Sequence, residues 1–168
     1  MSYRYNPLVG QRLGHARFFQ SLYEAAQTTH SNDGFAQHAA LQEAIVFELV
    51  NTLRAFLSEI ADNYGIDPNY CEASLLSSAL KQQGIISPEV DEILLSTTND
   101  GWIAALLSEH QVNCNGHQSV SIVTHEPAPL RFISDSIPIN KPPKTSSKLW
   151  LAELSDLIDR HRDGLVEW

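Results

Sequence analysis

Apolar residues recur at helical spacing along most of the chain. From Pro7 to His30, a 100° wheel gathers Leu8, Phe19, Leu22, Tyr23 and Ala26 on one side. Asn6 can cap this segment, and Pro7 suits the first helical position, where a missing N–H costs nothing. Ser31-Asn32-Asp33-Gly34 then supplies turn chemistry. A second helix is predicted from about Phe35 to Tyr64, closed by Gly65 with Pro68 beyond it. Its apolar arc holds Ile45, Val46, Leu49, Val50, Leu53, Phe56, Leu57 and Ile60; its expected wet arc holds Glu48, Asn51, Thr52, Ser58, Glu59 and Asp62. About thirty residues make a rod near 45 Å long. The short connection folds the two rods into an antiparallel hairpin whose apolar sides form the centre of the molecule.

Shorter elements follow. Asp67-Pro68 predicts a helix to about Gln83, stopped by Gly84. Ser87-Pro88-Glu89 reads as cap, first turn and favourable early acid for a helix to about Ser96. Asn99-Asp100 can cap a fifth that carries Trp102, Ile103, Leu106 and Leu107. From Val112 the period changes. Asn115-Gly116 is a turn signal, and the apolar runs at 120–122 and 130–133 alternate like strands, so an irregular or β-hairpin insert is expected over 113–146. Ser146 or Ser147 opens a last amphipathic helix with Trp150, Leu151, Leu154, Leu157 and Ile158 on one stripe. The fold class is all-α: one helical-bundle domain over residues 1–168.

Composition changes the picture mainly by exclusion. The chain has 168 residues, 43% hydrophobic and 18% charged, as globular proteins do. Its length suffices to bury about two-thirds of the unfolded surface. A net charge of −9 disfavours a nucleic-acid partner, whose polyanion would meet a like-signed surface. Residues 61–112 hold one lysine, Lys81, against eight acids, which reads as a solvated face or as a dock for a basic partner. No run reaches the ~18 apolar residues of a membrane span, and residues 1–6 lack a signal peptide's apolar core. Two cysteines, Cys71 and Cys114, make no disulfide scaffold, so a reducing cytoplasm is the expected compartment.

Catalytic signatures are missing. There is no Gly-x-Ser-x-Gly elbow, no glycine-rich phosphate loop and no dinucleotide fingerprint. His125-Glu126 starts like a zincin motif, but Pro129 stands where the second histidine belongs. No glutamate has a histidine three residues on, as a di-iron bundle requires. Three weaker constellations stand out. Arg12 and His15 on the first helix, and His38 and Gln42 on the second, lie among apolar residues and could converge on an anionic ligand or a metal, joined by His110 and His161; half-buried side chains bonded near helix ends are the plainer reading. His110, Cys114, His117 and His125 supply nitrogen and sulfur ligands suited to zinc, though only Cys114 and His117 are closely spaced; no other cofactor is expected. Gly10, Gly14, Ser21 and Ala25, with Phe18 beside them, form a small-residue stripe that another backbone could approach, either a helix of the same chain or a second copy. Glu43 and Arg54 flank the second helix's apolar arc as candidates for rim salt bridges.

Tyr5-Asn6, Arg12-Leu13, Arg17, Glu43-Ala44, Glu59-Ile60, Arg160 and the closing Glu167-Trp168 together resemble a family of short bacterial proteins of unknown function, helical bundles whose terminal helix ends in Glu-Trp. The resemblance spans nearly the whole chain and implies a bacterial cytoplasmic protein, with no activity attached. The long hairpin is also similar to HEPN-type bundles, which include ribonucleases. Their motif, an arginine followed after four to six intervening residues by a histidine, has no counterpart here, so ribonuclease activity is not implied. The expected function is a non-enzymatic protein–protein interaction or scaffold module, self-associating or bound to a protein partner. A ligand- or metal-binding bundle is the alternative.

Overall fold

A computed structural model describes residues 6–27, 34–69, 72–98, 101–116 and 147–166. They form six helices: α1 (Pro7–Gln27), α2 (Gly34–Asn63), α3 (Ala73–Gln82), α4 (Pro88–Thr97), α5 (Trp102–Gly116) and α6 (Ser147–Val166). Among the described residues there is no strand, and no helix is long and apolar enough to cross a membrane. The predicted turn at 31–33 and most of the predicted insert lie outside the described residues.

The centre is a three-helix layer. Asn6 at the start of α1 meets Glu59 near the end of α2, Arg12 meets Glu48, and Tyr23 meets His38, so α1 and α2 run antiparallel. Helix α6 lies against both. Its first residue, Ser147, donates to Gln20 of α1 at 2.9 Å, and Arg162 near its end grips Glu59 of α2. Ile45, Leu49, Phe56, Leu154, Leu157 and Ile158 fill the space between. Helices α3, α4 and α5 cover a further side of α2, and Ile93, Ile103 and Leu106 close that half of the core.

The caps explain where the elements stop. Gly65 and Gly84 adopt φ of 71° and 72°, the left-handed region that glycine enters without steric cost. Ile66 N–H then donates to Ala61 at 2.9 Å, and Ile85 N–H to Leu80 at 2.9 Å, which satisfies carbonyls at both helix ends. Ser87 accepts from Val90 N–H at 3.3 Å and donates to Glu89 at 2.7 Å, opening α4 as Ser-Pro-Glu predicts.

Four expectations need correction. The inner face of α1 is Val9, Leu13, Ala16, Gln20 and Ala26, with Phe19 and Tyr23 packed beside it as expected, whereas Leu8 and Leu22 are exposed. That face carries two small residues and a polar one, so its apolar signal is weaker than that of its flanks. Second, Glu48, Thr52 and Glu59 of α2 are buried, because α1 and α6 cover the arc that reads as wet. Third, α3 begins at Ala73 rather than at Pro68: the Asp67 carboxylate accepts from Asn69 N–H at 3.1 Å, a local turn that competes with a helix start. Finally, residues 113–116 belong to α5, so Asn115-Gly116 is the end of a helix and not the turn of a hairpin.

Ser87→Ala removes the cap of α4 and a donor to buried Glu89, and should cost about 1–2 kcal/mol in urea unfolding. A loss below about 0.3 kcal/mol would show that the hydroxyl holds neither group.

Candidate functional site

The histidines that could have converged stand apart, as the plainer reading has it. His15 Nδ1 lies 3.6 Å from Glu48 Oε1, beside Arg12, whose Nη1 reaches both carboxylate oxygens of Glu48 at 3.2 Å. His38 packs edge-on against Tyr23 at 5.4 Å between ring centres. Tyr23 follows His15 by eight residues on α1, so His15 and His38 stand about 12 Å apart along the hairpin axis. Gln42 is half-buried one turn beyond His38. His161 stacks on Phe56 at 6.3 Å and places Nε2 3.0 Å from Glu92 Oε2. Arg12, His15, His38 and Gln42 therefore divide into a carboxylate clamp and an aromatic pair, with Gln42 beside the latter.

Of the four proposed zinc ligands, His110 and Cys114 share one flank of α5, with Sγ 3.8 Å from Nε2. His117 and His125 lie outside the described residues. Among the described residues no three histidine, cysteine, aspartate or glutamate side chains gather as a metal site. Glu43 and Arg54 make no ion pair there either.

Two features remain as candidate sites. One is a cavity of about 570 Å³ between α2, α3, α4 and α5, floored by Leu53, Leu57, Ile93 and Leu107 and edged by Arg54 and His110. Sequence patterning could not find it, because its apolar floor reads as core and only the packing of four helices opens it. Burial holds the His110 imidazole below its ordinary pKa, and the nearby Arg54 charge lowers it further. The other is the outer face of α1. A Cβ built on Gly10 or on Gly14 meets nothing within 4 Å, and Phe18 beside them is 58% exposed. The small-residue stripe thus receives no helix among the described residues, which removes the explanation that α6 or a middle helix packs on it. Helix α6 docks on a different flank, through Arg17–Ser155, Gln20–Ser147 and Glu24–Lys148.

A family of unknown function, DUF6586, matches residues 11–168. The chain belongs to this family. No curated protein and no solved structure is similar enough to match it. DUF6586 membership carries no activity with it, so function has to be argued from the two surface features of this DUF6586 chain.

The shift of His110 has a direct check. An NMR titration should place its midpoint below the usual 6.5, and Arg54→Gln should move it part of the way back up, because burial persists. The neutral ring is the folded form's preference, so stability is insensitive to pH above about 6.5 and falls slightly as pH drops through the lowered pKa. An unshifted midpoint, or one unmoved by Arg54→Gln, contradicts the assignment of these causes.

Proposed function

We propose that this DUF6586 protein is a self-associating interaction module in which two copies meet along the outer face of α1. The carrying observation is that Gly10 and Gly14, one turn apart within a helix, face open space. A glycine in an exposed helix interior costs about 0.5–1 kcal/mol relative to alanine, and nothing among the described residues requires it at either position. A closely approaching second helix gives both glycines a use.

The surroundings fit that use. The exposed arc of α1 includes Leu8, Gly10, Gly14, Phe18, Ser21 and Leu22 with Gln11 and His15 among them, and its charged residues, Arg17 and Glu24, stand at the edge that faces α6. Ser21 Oγ donates to Phe18 carbonyl at 2.7 Å, so its hydroxyl is satisfied within the helix. Two copies of a −9 protein repel least where charge is sparse, and along this arc the only neighbouring charges among the described residues of α1, Arg17 and Glu24, are engaged by Ser155 and Lys148 of α6. A two-fold seam sets each copy's arc against the same arc of the other. One 21-residue helix offers a modest contact, which predicts a dimer that dissociates on dilution.

Light scattering across a concentration series should show a mass rising from 18.7 kDa toward twice that value. Gly14→Leu should hold the monomer mass throughout while matching or exceeding the wild-type melting temperature, since leucine favours helix and meets no neighbour. A wild-type mass that stays monomeric, or a Gly14→Leu variant that associates equally well, refutes the seam.

A further inference from the structure

The geometry points to the α2–α5 cavity as a binding site for a small amphiphile with an apolar body and one anionic end group, held by Arg54. Its volume of about 570 Å³ falls in the range of small-molecule sites, and its floor of Leu53, Leu57, Ile93 and Leu107 is aliphatic. Leu53, Leu57 and Ile93 are buried, so the apolar end of the cavity lies at its base. Arg54 is exposed, so its guanidinium stands at the opening.

Arg54 follows Leu53 in the helix, and Leu57 comes one turn after Leu53, so α2 alone presents both an apolar wall and a cation to the same space. No carboxylate among the described residues pairs with Arg54, whereas Arg12, Arg160 and Arg162 each hold a glutamate. A planar, permanently charged fork left unpaired over an aliphatic cavity matches a carboxylate bearing a hydrocarbon tail. Glu72 also edges the cavity and is the charge that opposes such a ligand. It occupies the N-cap of α3, where the positive end of the helix dipole offsets part of its charge.

Titration calorimetry with octanoate, octanol and octylamine on the full chain tests this. Octanoate should bind one per chain, and octanol and octylamine about tenfold more weakly or worse. Arg54→Gln should weaken octanoate about tenfold or more with an unchanged helical circular-dichroism spectrum, since the residue is exposed. Glu72→Gln should act in the opposite direction and tighten octanoate about twofold. Equal affinity for the three probes, an Arg54→Gln effect below about twofold, or no saturable octanoate binding overturns the assignment. So does octanoate affinity that falls as protein concentration rises, because a second copy would then fill the cavity.

Discussion

A carboxylate buried inside α2 governs how the bundle is assembled. Glu59 is 2% exposed, and it receives the Asn6 N–H at 2.9 Å together with Arg162 Nε and Nη2 at 2.9 and 2.6 Å. Taking a carboxylate out of water costs several kcal/mol, and a lone buried charge would not persist. Three donors from two other elements offset that cost and, in doing so, fix where the start of α1 and the end of α6 must lie. Glu48, three turns earlier on the same side of α2, repeats the arrangement with Arg12. Hydrophobic burial stabilises the bundle, while these two carboxylates select its register.

The remaining architecture follows from that selection. With α1 and α6 held against one side of α2, its other buried side is left for the three short helices. Their packing is incomplete around Arg54 and leaves the cavity. Gln20 and Ser147 close the opposite end of the α1–α6 contact, so α6 docks on a polar seam of α1 and leaves the band of Gly10, Gly14 and Phe18 uncovered by the described helices. Both candidate surfaces are thus by-products of where α2 places its partners.

Much of the fold was legible in the residues, and the gaps have physical causes. Long rods, glycine stops at Gly65 and Gly84 and the Ser87-Pro88 start follow from local rules that act over one turn. The burial of Glu48 and Glu59 did not, because an acidic residue on a helix reads as wet until a distant arginine is known to cover it; Arg162 lies 103 residues beyond Glu59. The inner face of α1 is only partly visible in the local pattern for a related reason. Its inner face holds Ala16 and Gln20, residues whose inwardness comes from the close approach of α2 and from Ser147, neither of which is local. For the sites, His110 and Cys114 on one helical flank and the small-residue stripe were visible as spacings. The separation of His15 from His38 follows from their places on an antiparallel hairpin, several turns apart, whereas the space beneath Arg54 depends on tertiary packing alone.

A double-mutant cycle on Glu59 and Arg162 measures the central interaction most directly. Glu59→Gln and Arg162→Gln each strand a charged partner, and the double variant strands neither. Urea unfolding of the four proteins should therefore give a coupling energy of about 2 kcal/mol, with the double variant destabilised by much less than the sum of the singles. Additivity within about 0.5 kcal/mol would mean that the buried carboxylate does not hold α6 to α2, and the ordering of the bundle would need another cause.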